Sequence, residues 1–180
     1  MKIETTLIEG LLILKPDIFT DTRGSFMETF NSMVFAQYGL PVEMMQDNQS
    51  ISRKHVLRGL HFQKPPYAQG KLVRVITGSA LDVAVDLRKG SASYGKWYSV
   101  LLTGENKVML WIPEGFAHGF LSLEDNTIFS YKCTNIYHKQ SEGSLNWADP
   151  DLGIDWGIEN PVLSDKDTIA PFFKDFISPF

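Results

Sequence analysis

The residues best suited to chemistry lie in one short stretch, VLRGLHFQ (residues 56–63). Arg58, a permanent cation, stands three positions before His61, whose imidazole can exchange protons near neutral pH. The other residues are mostly apolar, a pattern typical of a β-strand. A regular strand would point the two side chains to opposite faces, because an odd number of positions separates them. Gly59 between them predicts a bulge or a close approach of the backbone, which would re-aim one of the two side chains.

Further stretches carry residues of similar chemical potential. PEGFAHGF (113–120) contains His118, QGKLVRV (69–75) contains Lys71, and FSYKCTN (129–135) contains Tyr131. Taken singly, each also fits a structural role, such as a histidine satisfied by backbone groups or a tyrosine packed in a core with its hydroxyl hydrogen-bonded. The residue types alone therefore leave a structural and a catalytic role open.

The elements that must position these side chains are strands. ALDVAVDLR (80–88) places its larger apolar residues on one parity and Asp82 and Asp86 on the other, which predicts a strand with one face on a core. Comparable patterns occur in LIEGLLILKP, GSFMETF, QDNQSIS, KLVRVITG, KWYSVLLT, KVMLWI, GFAHGFLSL and NTIFSYKCTN. Because the connections are too short for parallel crossovers, these strands predict an antiparallel sandwich or barrel.

Only two stretches predict helices, and neither is expected to be a main element of the core. NSMVFAQYG (31–39) has Asn31 or Ser32 as an N-cap and Gly39 as a terminator. The second stretch is TIAPFFKDF (168–176), near the C-terminus.

Composition excludes several classes of protein. The chain of 180 residues is 43% hydrophobic, which predicts one globular domain spanning residues 1–180. A net charge of −4 argues against a nucleic-acid binder but permits a local positive pocket for a small anion. The single cysteine, Cys133, excludes an intrachain disulfide framework. With no signal-like N-terminus and no apolar run near 18 residues, we expect a cytoplasmic protein without membrane association.

Two segments resemble the motifs of the cupin superfamily, a fold of double-stranded β-barrels. Pro113, Gly115 and His118 match its Pro-x-Gly-x-x-His motif. Its other motif, His-x-His with a following Glu, is broken, because Gln63 stands where the second histidine would be and residues 66–67 are not acidic. Two histidines without further ligands make a poor divalent-metal site, so we expect no metal and disfavour a metal-dependent cupin oxygenase or isomerase.

A narrower resemblance covers most of the chain. The segments that carry it, in order, are FTDTRGSFMETFN, QDNQSIS, VLRGLHFQ, QGKLVRVITGSALDVAVDLR, IPEGFAHGFLSL, YKCTNIYH, WADPDLGIDW and LSDKD. Together they closely resemble the dTDP-4-dehydrorhamnose 3,5-epimerase family. The resemblance implies a mostly β fold, a cupin-type double-stranded β-helix (jelly-roll) barrel of antiparallel strands with a few short helices.

That family inverts C3 and C5 of dTDP-4-keto-6-deoxyglucose. The ketone at C4 acidifies the protons on both neighbouring carbons, so a base, an oxyanion stabiliser and an opposing acid suffice without a redox cofactor or a metal. Some relatives epimerise only one of the two carbons, and the motifs do not separate them from double epimerases. A non-catalytic nucleotide-sugar binding module is a further alternative, but it would need no base, acid and carboxylate together.

By resemblance, His61 is the base and Asp167 its partner, which would hold the imidazole tautomer. Lys71 would meet the charge developing at O4. Tyr131 matches the position of the proton donor, and Tyr137 is the rival phenol.

The resemblance also implies a set of residues that bind the nucleotide sugar. Arg58 and Arg23 look like diphosphate ligands, and Phe26 resembles the aromatic that packs on thymine. The full set is Arg23, Phe26, Glu28, Gln46, Asp47, Asn48, Arg58, Lys71, His118, Tyr137, Glu142 and Lys166. Family members are homodimers in which the early strand reaches the partner's site, so a homodimer is expected here.

Overall fold

The computed structural model describes residues 1–180 and contains thirteen β-strands and two short α-helices. The strands are β1 (Lys2–Thr5), β2 (Leu12–Lys15), β3 (Ile18–Asp21), β4 (Gly24–Met27), β5 (Gln46–Ser52), β6 (Leu57–Gln63), β7 (Lys71–Thr77), β8 (Ser79–Asp86), β9 (Trp97–Thr103), β10 (Met109–Ile112), β11 (Phe116–Ser122), β12 (Thr127–Cys133) and β13 (Glu142–Ser144). The helices are α1 (Ser32–Gln37) and α2 (Asp165–Thr168), with single 3₁₀ turns at Lys139–Ser141 and Phe173–Asp175. No helix is long and apolar enough to cross a membrane.

Two antiparallel sheets pack face to face. The first sheet has the order β1-β2-β10-β7-β12-β5 and the second has the order β13-β6-β11-β8-β9, while β3 and β4 form a separate hairpin. The largest buried cluster draws on strands of both sheets and includes Val73, Ala84, Leu110, Phe120 and Phe129. The predicted antiparallel arrangement of short strands is confirmed.

The outer face of the second sheet is also buried, which the alternation in β8 did not predict. Val83 and Val85 of β8 pack with Trp156 and other residues of the C-terminal segment, whereas Ala80 and Ala84 on the opposite parity belong to the core between the sheets. The prediction of one core face is therefore wrong for β8. The acidic residues Asp82 and Asp86 share the parity of Ala80 and Ala84 and therefore face the interior, where both have an exposed fraction of 0%.

The first helix prediction is confirmed. Asn31 caps α1 by accepting hydrogen bonds from the backbone N–H groups of Met33 and Val34. Phe35 of α1 is fully buried and packs against Trp111 on the outer face of the first sheet. This cluster is separate from the core between the sheets, so α1 is peripheral, as expected.

The predicted helix over 168–176 is wrong. Helix α2 ends at Thr168, where the predicted helix would begin, and only a 3₁₀ turn follows at Phe173–Asp175. Pro171 explains the difference, because it lacks a backbone N–H and disfavours helical geometry at the residue before it. The C-terminal aromatics instead cover the second sheet, where Phe176 packs edge-on against Phe62.

Asp86 yields a prediction about acid stability. Its carboxylate accepts hydrogen bonds from Arg88, Ser91 and Ser93. Although burial alone would raise the pKa of Asp86, these donors lower it from 3.8 to about 2. Asp86→Asn should therefore cost on the order of 2 kcal/mol at pH 7, as urea unfolding would measure.

The sign of the pH dependence follows from the depressed pKa. The carboxylate stabilises the fold above the unfolded-state pKa, and this stabilisation is lost as the pH falls from about 4 to 2. The gap between the variant and the wild type should shrink over that range. A gap that stays constant down to pH 2 would contradict the assignment.

Candidate active site

The predicted bulge in β6 is present. Between Arg58 and His61, three steps along β6 are matched by two steps along β11. Gly59 has a φ of +140°, and a Cβ there would lie 2.5 Å from the Cα of Gly119 on the neighbouring strand, so only glycine fits. As a result, Arg58 and His61 line the same cleft.

The cleft has a volume of about 700 Å³ and opens between the two sheets. Most residues predicted for the site line it: Gln46, Asn48, Arg58, His61, Lys71, His118, Tyr131, Tyr137, Glu142, Lys166 and Asp167. Lys71 and Tyr131 come from the first sheet, whereas His61 and His118 come from the second. Groups from the two sheets can therefore reach a ligand from different sides.

His61 and Asp167 form a close pair. The distance from His61 Nε2 to Asp167 Oδ1 is 2.6 Å, and Ser164 Oγ donates to Asp167 Oδ2 at 2.8 Å. Burial raises the pKa of Asp167, but the hydrogen bond and charge of His61, with help from Ser164, hold it below its usual value. An ionised Asp167 accepts the proton of Nε2, so neutral His61 presents the lone pair of Nδ1, which has no partner in the protein. Nδ1 is thus placed to act as a base.

Two further donors lining the cleft have no acceptor in the protein. Burial lowers the pKa of Lys71, against the opposing effect of Cys133, Asp82 and Glu142. Burial raises the pKa of Tyr131, which keeps its phenol protonated at neutral pH. A lysine amino group and a phenol without internal partners are both available to an anionic or carbonyl oxygen of a ligand.

Tyr137 is placed differently from Tyr131. Its side chain is 50% exposed and its hydroxyl donates to Glu142 Oε2 at 2.7 Å, an interaction that raises the pKa of Tyr137. Glu142 also pairs with Lys166. The Tyr137 hydroxyl is therefore occupied, which leaves Tyr131 as the phenol with a free proton.

Two glutamines hold the segment that carries Tyr137. Gln46 Oε1 accepts from the backbone N–H of Tyr137 at 2.7 Å, and Gln63 Oε1 accepts from that of His138 at 3.0 Å. Sequence reasoning used Gln63 only as evidence of a broken metal motif and missed its place in the cleft. The signal was present, since Gln63 lies two residues after His61 and shares its strand face.

A second histidine–carboxylate pair was also missed. His118 Nε2 lies 2.8 Å from Asp82 Oδ2, and both residues are buried. The acidic parity of β8 was the available signal, but alternation alone indicates a solvent-facing residue, whereas in the fold this parity faces the first sheet.

The two histidines do not fit a shared metal ion. Each one uses Nε2 for a carboxylate, and no group of three or more His, Cys, Asp or Glu side chains is arranged to hold a metal.

Asp47 is a predicted ligand contact that the structure does not bring to the cleft. Alternation along β5 points Gln46 and Asn48 into the cleft and Asp47 to the other face. There Asp47 Oδ2 pairs with Lys132 at 2.7 Å. The Asp47 side chain therefore faces away from this cleft, and its role in ligand binding stays a prediction.

Arg23, Phe26 and Glu28 also lie outside the cleft of their own chain. Arg23 and Phe26 belong to the β3–β4 hairpin, where Arg23 forms an ion pair with Asp21 and Phe26 is 70% exposed. Glu28 accepts a hydrogen bond from Asn31 at 3.0 Å. A role for these residues in a partner's cleft stays a prediction.

An antiparallel β-barrel whose cleft holds a histidine–carboxylate base, a buried lysine and a free phenol defines a cupin-fold protein with a site for acid–base chemistry. The family model described as dTDP-4-dehydrorhamnose 3,5-epimerase matches residues 5–175. The chain therefore belongs to the dTDP-4-dehydrorhamnose 3,5-epimerase family.

Individual relatives agree with this assignment. A dTDP-4-dehydrorhamnose 3,5-epimerase of Shigella flexneri is 52% identical over 97% of each chain. The dTDP-6-deoxy-D-glucose-3,5-epimerase of Legionella pneumophila, solved with dTDP-4-keto-L-rhamnose, is 46% identical with a TM-score of 0.93, covering 98% of this chain and 94% of that one. A 3′-monoepimerase of Streptomyces bikiniensis, solved with dTDP-quinovose, is 37% identical with a TM-score of 0.88, covering 93% and 85%. These structures confirm the predicted cupin-type fold.

Proposed function

We propose that the chain inverts C3 and C5 of dTDP-4-keto-6-deoxy-D-glucose to give dTDP-4-keto-L-rhamnose. One observation carries the proposal. The His61–Asp167 pair, the proposed base, lies on the side of the cleft formed by the second sheet, whereas the free phenol of Tyr131 lies on the side formed by the first sheet. Inversion at carbon requires removal of a proton from one face of the sugar and delivery from the opposite face.

The proposed chemistry begins at the base. His61 Nδ1 removes the proton next to the C4 ketone, and Asp167 stabilises the imidazolium that forms. The electron pair moves onto O4, where the Lys71 ammonium stabilises the enolate. Tyr131 then donates its proton to the opposite face of the same carbon. No electron leaves the substrate, so the reaction needs no redox cofactor.

The nucleotide half of the substrate needs cations and hydrogen-bond donors near the cleft mouth. We propose that Arg58, whose Nε donates to Ser52 Oγ at 3.2 Å, binds the diphosphate with its remaining guanidinium N–H groups. Gln46, Asn48, Glu142 and Lys166 line the same cleft and would contact the sugar and nucleoside.

Isotope exchange tests the proposed reaction. With substrate in D₂O and no reductase present, NMR should show deuterium at both C3 and C5 together with the inverted product. Deuterium at only one of the two carbons would show that the chain is a single-site epimerase. Binding of dTDP without any exchange would leave a nucleotide-sugar binding module and refute the catalytic proposal.

Asp167→Asn should lower kcat by about 10²-fold, with a much smaller change in KM. The amide can no longer stabilise the imidazolium and can hold the wrong tautomer of His61. Steady-state kinetics coupled to product detection would measure the change. Asp165→Asn on the same helix is the matched control, because Asp165 does not line the cleft. Near wild-type turnover in Asp167→Asn would refute the dyad.

We further propose a homodimer in which the β3–β4 hairpin enters the partner's cleft. The hairpin exposes Phe19 (64%) and Phe26 (70%) beside Arg23. Exposed aromatic faces with an adjacent guanidinium suit an aromatic base and a diphosphate, and they are costly to leave in water.

Mixing two inactive variants tests this arrangement. One carries His61→Ala and the other carries Arg23→Ala with Phe26→Ala. If the hairpin serves the partner's cleft, each mixed dimer has one intact site, and random exchange should restore about a quarter of wild-type activity. If the hairpin serves its own cleft, or if the chain is monomeric, mixing should restore none.

A further inference from the structure

Asp82 carries an unexplained feature next to the proposed site. It is fully buried, and Oδ2 accepts from His118 Nε2 at 2.8 Å, but Oδ1 has no hydrogen-bond partner. Its neighbours on the same strand face, Ala80 and Ala84, are apolar. A buried carboxylate oxygen without a donor is costly and uncommon, so packing alone does not explain why an aspartate stands there.

The charge of Lys71 offers one explanation for an aspartate at position 82. Three groups favour its protonated form, namely Cys133, Asp82 and Glu142. Burial raises the pKa of Cys133, so its thiol is neutral at pH 7. Glu142 is already paired with Lys166. Of the two carboxylates among these groups, only Asp82 forms no ion pair with a lysine or arginine.

The orientation of His118 offers a second explanation for an aspartate at position 82. Burial, with the nearby charges of Lys71 and His61, lowers the pKa of His118 despite the opposing effect of Asp82. The neutral imidazole has one proton, and the contact with the Asp82 carboxylate places it on Nε2. Nδ1 then carries a lone pair, has no partner in the protein, and belongs to a residue that lines the cleft.

We infer that Asp82 is a positioning residue that acts on both sides of the site: it holds His118 with Nδ1 as an acceptor for a sugar hydroxyl, and it keeps Lys71 in the ammonium form. The inference rests on the role proposed above for Lys71. It assigns His118 to a hydroxyl group of the substrate rather than to its phosphates, since a neutral acceptor would repel an anion.

The groups that share the environment of Lys71 come from five strands. They are Asp82 of β8, His118 of β11, His61 of β6, Glu142 of β13, and Tyr131 and Cys133 of β12. Among these, only Asp82 is a fully buried carboxylate. Its loss should therefore act on the lysine more strongly than a change at the cleft rim.

Asp82→Asn should lower kcat at pH 7 by about 10-fold or more, and the alkaline limb of the pH–rate profile should move to lower pH by about one unit. The dissociation constant of dTDP should stay within about twofold. The control is Asp86→Asn, which removes a buried carboxylate from the same strand face at a distance from the cleft and should leave the profile unchanged.

If the pH–rate profile of Asp82→Asn matches that of the wild type and only the thermal stability falls, Asp82 has a packing role alone and the inference is overturned. If Asp82→Asn does not fold, imidazole ¹⁵N NMR of the wild type decides, since the chain has only four histidines to assign. A proton on Nε2 of His118 supports the inference, and a proton on Nδ1 overturns it. Lys71→Met that retains full turnover would instead refute the proposed role of Lys71, whatever the histidine spectrum shows.

Discussion

His61→Ala should reduce epimerisation by about 10⁴-fold and abolish deuterium exchange at both C3 and C5. The substitution removes the proposed base, the imidazole that Asp167 orients in the cleft. Folding should be preserved, because the side chain is 26% exposed and the bulge that places it depends on Gly59 and Gly119.

Binding and catalysis should separate in this variant. The proposed diphosphate ligand Arg58 is retained, so the dissociation constant of dTDP, measured by calorimetry, should change less than about threefold. His55→Asn is the matched control, because His55 is exposed on the turn before β6 and lies outside the cleft. Exchange at wild-type rates in His61→Ala would place the base elsewhere and refute the mechanism.

Tyr131→Phe should lower formation of the inverted product by about 10³-fold while proton exchange with solvent continues. His61 can still remove a proton and return a deuteron from D₂O to the same face, which gives labelled substrate of unchanged configuration. NMR that separates labelled substrate from labelled product would measure both rates. This uncoupling of exchange from inversion is specific to the loss of an opposing acid.

Tyr137→Phe is the comparison that separates the two phenols. Its hydroxyl is bound to Glu142, so its removal should change KM more than kcat and leave inversion intact. If Tyr137→Phe uncouples exchange from inversion and Tyr131→Phe does not, the assignment of the acid must be reversed.

Local rules predicted much of the chain correctly. Gly59 predicted the bulge that brings Arg58 and His61 to one face, and Asn31 predicted the cap of α1. Both depend on residues close together in sequence, where glycine conformation and side-chain capping act directly. The helix predicted over 168–176 was wrong, because Pro171 within that stretch is a local signal against a helix that the prediction did not take into account.

The rest was decided by packing between distant segments. His61 and Asp167 are 106 positions apart, and only the family resemblance paired them before the structure was known. Packing also decided the surroundings of Asp82 and Asp47, two aspartates within strands. Asp82 is buried because its side of β8 faces the first sheet across the core, whereas Asp47 lies on an exposed part of the outer face of the first sheet.

The sequence by itself determined the strands, their antiparallel arrangement, the helix at Asn31 and the family with its expected chemistry. Those features follow from alternation, turn residues and motifs, which are written along the chain. The tertiary structure alone decided which faces are covered, and so which acidic residues are buried and which hydroxyl of Tyr131 and Tyr137 is free. Burial and hydrogen-bond partners depend on contacts between segments that are distant in sequence, and no local pattern of residues specifies them.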